Sequence, residues 1–266
     1  MSAASYPLAP ISYYERQRRA FAATELAGHA LEDYEFPLET WGHHCEATRE
    51  ARRELYRCGD YADVSRLEEI AHRTFKLFSK DGSREIKVLL VFKPVSEMEL
   101  DAVVNSANEA MLGGGGVDQQ IHEGAGPGLI KECATRFIGN AARNACEIAE
   151  VKLTKGHALP ASYVLHTVAP LLSKDGSPQG AVMGSCYQNC LKVAQAYSFR
   201  SIAFPCLGCG FYGFPLDLSI KLVLSTLSHF VETEASALET VILSLGKDRE
   251  QEAYCAGIDA FVASRI

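Results

Sequence analysis

Residues 101 to 127 read DAVVNSANEAMLGGGGVDQQIHEGAGP, and the order of residue types in that stretch decides the fold. Residues 101–104 are short and apolar enough for a buried strand. Four consecutive glycines, Gly113 to Gly116, come next, and a helix begins near Val117 with His122 one turn beyond Asp118. Glycines let the backbone approach a ligand closely and turn its N–H groups toward an anion. The helix aims its positive end the same way. The stretch is therefore read as a phosphate cradle. It is not a Walker loop, because no Gly-Lys-Ser/Thr follows. A flexible linker is the competing reading, and the strand before, the helix after and the polar side chains at fixed offsets weigh against it.

Outward from this stretch, strands and helices alternate. Residues 75–79 and 86–92 read as strands joined by Lys80-Asp81-Gly82-Ser83, whose Asp-Gly is a hairpin signal. Downstream, 151–154, 163–169, 201–206 and 240–245 read as strands, and 178–198, 216–231 and 249–262 as helices. Apolar strands alternating with amphipathic helices predict an α/β sandwich with its sheet covered on both faces. Residues 1–70 differ. They hold few β-branched residues and dense charge, so a helical, partly flexible extension is expected there, with the main domain running from 71 to 266. Trp41, beside His43 and His44, reads as an aromatic anchor for that extension, since adjacent histidines do not share a helix face.

Composition narrows the classes. The chain has 266 residues, 47% hydrophobic and 22% charged, the balance of a globular protein with a proper core. A net charge of −7 provides no basic field for phosphate backbones, so nucleic acid is not expected as a partner. No apolar run is long enough to cross a membrane. Nine cysteines, an odd number in no framework spacing, suit a reducing, intracellular compartment, cytoplasmic or nuclear. Arg16, Arg18 and Arg19 among alanines and serines leave a mitochondrial transit segment as an alternative. Cys186 with Cys190 and Cys206 with Cys209 have zinc-like gaps, but no histidine of matching spacing accompanies them, so no metal and no cofactor is expected.

A second glycine loop runs from Phe204 to Pro215, reading FPCLGCGFYGFP. Gly208, Gly210 and Gly213 satisfy the dinucleotide fingerprint, yet Pro215 and the aromatic pair Phe211-Tyr212 interrupt the tight strand-to-helix turn it needs. Two glycine loops after two strands suit a ligand with two phosphates at the carboxyl ends of those strands.

From residue 75 to the end the sequence resembles the MacroD-type macrodomains. The resemblance is carried by 101–127 together with AEVKLTKGHALP at 149–160, YVLHTVAP at 163–170, CYQNCL at 186–191 and 203–215. It implies a three-layer α/β/α sandwich with a mixed central sheet, beside the N-terminal helical extension. It also implies binding of ADP-ribose, removal of mono-ADP-ribose from acidic side chains of proteins, and deacetylation of O-acetyl-ADP-ribose, by a protein expected to be monomeric. Carried over position by position, Asn108 would orient the distal ribose, Asp118 would position or activate water, and His122 would support either. The backbone of Gly113, Gly114, Gly115, Gly116 and Val117, with Gly208, Cys209, Gly210, Phe211, Tyr212 and Gly213, would enclose the pyrophosphate, Tyr212 acting as a lid. Asn105 would tie the loop to the sheet.

The sequence departs from that family where Lys93-Pro94-Val95 stands in place of Gly-Asp-Ile, whose Asp reads adenine, and where Gly246 stands in place of an aromatic residue. Glu97 and Glu99 are nearby alternatives, expected to be solvated. Gly208-Cys209 replaces a common Ser-Thr, and Cys209 reads as a packed or idle thiol because nothing basic adjoins it. His157 and His166 read as scaffold. A non-catalytic ADP-ribose reader is the runner-up function, and a nicotinamide-dependent oxidoreductase using the Gly208 to Gly213 fingerprint is the third.

Overall fold

In the computed structural model, which describes residues 49, 52–138, 145–246 and 248–265, the alternation of apolar strands and helices builds a seven-stranded mixed sheet between two helical layers. In chain order the elements are β1 (Ala62–Asp63), α1 (Val64–Glu69), β2 (Arg73–Phe78), β3 (Glu85–Val91), β4 (Met98–Glu99) and β5 (Ala102–Ala107). They continue with α2 (Val117–Ala125), α3 (Pro127–Cys133), β6 (Val151–Lys155), β7 (Tyr163–Val168) and α4 (Gly180–Ala196). The chain closes with β8 (Ser201–Pro205), α5 (Leu216–Thr233), β9 (Thr240–Ser244) and α6 (Asp248–Ala263). The sheet order is β2-β3-β9-β8-β5-β7-β6. The five inner strands are parallel, and antiparallel β2 and β6 close the edges.

Each inner strand is apolar on both sides, as a sheet covered on both faces requires. Val88 and Leu90 of β3 point into one core with Val104, Phe204, Leu243 and the inner faces of α4 and α5. Leu89 and Val91 point into the other, with Val103, Ile242 and, from α1 to α3, Leu67, Ile121 and Leu129. The predicted hairpin forms at the expected place. Gly82 takes a positive φ of 69°, and the Asp81 carboxylate accepts from the Ser79 and Ser83 hydroxyls.

The segment from Arg52 to Ile70, read from sequence as part of the extension, is built into this unit. Asp63 caps α1 by accepting from Arg66 N at 2.9 Å, and Leu67 is fully buried against the sheet. Upstream, Arg53 donates twice to Glu99, at 3.0 and 2.9 Å, while the Tyr56 hydroxyl adds a third bond at 3.0 Å. Arg52 donates to the carbonyls of Leu159 and Ala161. Glu99 is thus 1% exposed instead of solvated, because a guanidinium and a phenol replace its water shell. Glu97 is held by Lys93 Nζ at 2.5 Å. Trp41, His43, His44 and the arginines of the N-terminal reading, Arg16, Arg18 and Arg19, lie outside the described residues.

Candidate active site

The two glycine loops leave the sheet side by side. Strands β5 and β8 are parallel neighbours, pairing Ala102 with Ile202 and Val103 with Ala203, so both loops emerge from carboxyl ends of adjacent strands. Residues 108–116 then lead into α2, and residues 206–215 lead into α5.

The first loop turns through left-handed backbone at Met111, Gly113 and Gly116, with φ of 54°, 83° and 65°. Glycine is needed at Gly114 for a different reason. A Cβ there would lie 2.9 Å from both Asn108 Nδ2 and Asp118 Oδ2, so the bare backbone is what lets those two side chains meet across it. Asn108 also braces the loop itself. Its Oδ1 accepts from Ala110 N and Met111 N at 3.0 and 3.1 Å, and its Nδ2 donates to Gly113 O at 2.9 Å.

Asp118 occupies the second position of α2 and is only 3% exposed. Asn105 Nδ2 donates to its Oδ1 at 2.7 Å, and Asn108 Nδ2 stands 3.4 Å from Oδ2. Burial pushes its carboxyl up to about 6, and the bond from Asn105 pulls the other way. His122, four residues on, places Nε2 at 3.5 Å from Asp118 Oδ1. Burial holds that imidazole down at about 4, so it is neutral at neutral pH. The structure therefore brings Asn108, Asp118 and His122 together, an ionised carboxylate beside a neutral ring, at the positive end of a helix. The sequence places Asp118 at a helix start, whose positive end favours its charge; burial, the largest influence, becomes visible only in the fold.

In the second loop Gly208 and Gly213 take φ of 71° and 67°. A Cβ at Gly208 would meet the Met183 methyl at 2.7 Å, so this glycine also answers a packing need. Phe211 is 67% exposed, whereas Tyr212 is half-buried and touches the cores on both sides of the sheet. Helix α5 begins only at Leu216 with Pro215 as its cap residue, so the fingerprint glycines do not form the tight helix-capping turn of a dinucleotide site. Cys206 and Cys209, read as thiols, are joined by a disulfide. The turn through Leu207 and Gly208 brings their Cα atoms to 5.8 Å, inside the range such a bond needs. That pairing removes both from the zinc alternative and from the reading of Cys209 as an idle thiol. Cys186 and Cys190 are buried core residues, and no group of three or more potential metal ligands occurs among the described residues.

Beneath Asp118 lies a polar line that the sequence reading left as scaffold. His166 Nδ1 is 3.1 Å from Asn105 Nδ2, and His166 Nε2 is 2.9 Å from Thr154 Oγ1; all three residues are fully buried. The signal for it was present in β7. A histidine inside the apolar run YVLHTV must find partners in the interior, since an unsatisfied buried polar group costs about 1–3 kcal/mol.

The sequence matches the Macro domain family over residues 104–223. A Bos taurus protein named ADP-ribose glycohydrolase MACROD1 is 34% identical over 212 residues, 76% of this chain. The chain spans 63% of that relative's length. Macro domain-containing protein CT2219 of Chlorobaculum tepidum is 38% identical over 160 residues, which are 60% of this chain and 88% of that protein. Among solved structures, the Trypanosoma brucei macrodomain in complex with ADP-ribose superposes with a TM-score of 0.65 at 30% identity, covering 96% of this chain and 92% of that one.

Proposed function

The chain belongs to the Macro domain family, and from that premise we propose that it binds ADP-ribose and hydrolyses the ester joining mono-ADP-ribose to acidic side chains of proteins, with O-acetyl-ADP-ribose as a second substrate. The observation that carries this reading is the pairing of Asp118 with Asn108 across Gly114, under two glycine loops at the ends of adjacent parallel strands. The pyrophosphate is taken by backbone N–H groups of residues 113–117 and 208–213, including that of Cys209, whose side chain is tied back to Cys206. Tyr212 covers the distal ribose, and Asn108 orients that sugar.

The chemistry needs a base or an anchor for water at neutral pH. A carboxyl near 6 is mostly ionised at pH 7 and is a stronger base than an exposed aspartate. Neutral His122 adds no positive charge that would depress it. Asp118 takes a proton from the water, whose oxygen bonds either to the ester carbonyl carbon, expelling the ribose oxygen, which is then protonated, or to the anomeric carbon, expelling the acid as a carboxylate; both routes give free ADP-ribose and the free acid. Glu99 is buried against Arg53 and Tyr56, which removes it as a contact for adenine.

The test is release of ADP-ribose from protein modified at acidic residues, by wild type beside Asn108→Ala and Asp118→Ala, with calorimetric binding of ADP-ribose to each. Each variant is expected to lose at least about tenfold in turnover, or about 1.4 kcal/mol of transition-state stabilisation. Binding without release by wild type would make the protein a reader. Full activity in both folded variants would remove the pair from the mechanism.

A further inference from the structure

Asn105 sits on β5 directly opposite His166 on β7. Its Nδ2 faces two groups at once, Asp118 Oδ1 at 2.7 Å and His166 Nδ1 at 3.1 Å. An amide nitrogen has only protons to offer, so Nδ1 of His166 must present its lone pair, and the ring proton must be on Nε2. There it points at Thr154 Oγ1, 2.9 Å away, which accepts it. The other tautomer would set proton against proton at Nδ1. Turning the amide over would set its oxygen against the carboxylate. The Oδ1 of Asn105 is buried without a hydrogen-bond partner among the described residues, so the amide keeps this orientation although its own acceptor goes unsatisfied.

We propose that Asn105, locked by His166 and Thr154, is a positioning residue for Asp118. It draws Oδ1 into the interior and leaves Oδ2, beside Asn108 and Gly114, as the oxygen presented to the loop. It also keeps the carboxylate ionised at neutral pH. Among the described residues no cationic side chain pairs with it, and the helix end and Asn108 Nδ2, 3.4 Å from Oδ2, are the other groups that favour the charge. The titratable groups facing Asp118 are His122 on its own helix, neutral at pH 7, His166 on β7, held neutral by complete burial, and Cys133 on α3, whose thiol burial pushes far up. The inference rests on the proposed role of Asp118 only for its consequence in turnover, not for the hydrogen-bond line itself.

The experiment is a carbon NMR titration of the Asp118 carboxyl in unliganded, aspartate-labelled protein, the signal assigned by its loss in Asp118→Asn. Wild type is expected to titrate near 6 and folded Asn105→Ala about one pH unit higher, because the bond that favours the charged form is gone. His166→Leu should move the midpoint the same way, and His166→Gln, whose amide oxygen still accepts from Asn105, should restore it. In the release assay, the acid limb of kcat should shift in step while ADP-ribose affinity stays within about twofold. An unmoved midpoint in folded Asn105→Ala overturns the proposal. Should the variants fail to fold, ring nitrogen shifts of His166 in wild type decide it. A neutral ring protonated at Nε2 supports the line, and one protonated at Nδ1 breaks it. A shifted midpoint in a protein that releases no ADP-ribose would support the positioning role and count only against the hydrolase reading.

Discussion

Asp118 carries opposite demands from stability and from chemistry. Its carboxyl is raised from the ordinary aspartate value to about 6, which means the fold favours the protonated form. The favourable contribution of that protonated form is complete below about pH 4 and is lost as pH rises through 6, so at neutral pH the buried charge costs stability. Asp118→Asn removes the charge and keeps an acceptor for Asn105. It is expected to be inactive yet more stable than wild type at pH 8, by about 1–3 kcal/mol, with the gain vanishing near pH 4; urea unfolding at the two pH values measures it. Turnover should follow the ionised fraction of the same group. The release rate is expected to fall about tenfold per pH unit below pH 6, and an acid limb nearer pH 4 would mean that another group limits the reaction. Of these features the residue identities were legible in the sequence. The ionisation behaviour was not, because burial by α2 and by the sheet sets it.

At the scale of elements, the two loops separate two kinds of glycine. Gly114 is bare because Asn108 and Asp118 close over it, while a Cβ on Gly115 would meet nothing within 4 Å. Gly114→Ala should lower stability by about 1–3 kcal/mol, as crowding in a packed site does, and Gly115→Ala should leave the melting temperature within about one degree. Equal melting temperatures would mean that the loop yields easily at Gly114. The run of four glycines announced a close backbone approach, but all four look alike in sequence, and only the folded loop distinguishes them. The second loop makes a similar point with Cys206 and Cys209. Their two-residue gap was visible, and the turn at Gly208, with its φ of 71°, decides that they face each other. In protein kept free of reductant, alkylation should leave both unmodified and modify both together once reductant is added. Labelling of either one alone beforehand would contradict the bridge.

For the whole molecule, the segment before β2 belongs to the architecture. Arg53 and Tyr56 hold Glu99 beneath the sheet, and α1 adds Leu67 to the core on that face. Arg53→Ala leaves a carboxylate of 1% exposure without its cation. The denaturation midpoint is expected to fall, because the cation lost is the one that compensates a buried charge. Arg53→Ala combined with Glu99→Gln should recover part of that fall, and simple additivity would exclude a coupled pair. The alternation of the longer strands and helices from residue 73 onward and the two glycine loops were determined by the sequence alone, and the mixed sheet was implied by the family resemblance. Apolar periodicity and glycine placement are local properties, and each strand carries its pattern whether or not its neighbours are known. What the tertiary structure decided is everything that depends on who stands beside whom. Glu99 is a buried partner instead of a solvated charge because Arg53 reaches it from 46 residues away. Asn105, His166 and Thr154 form one line because β5, β7 and β6 lie next to each other. Burial and pairing are sums over distant neighbours, and no local pattern of residues contains them.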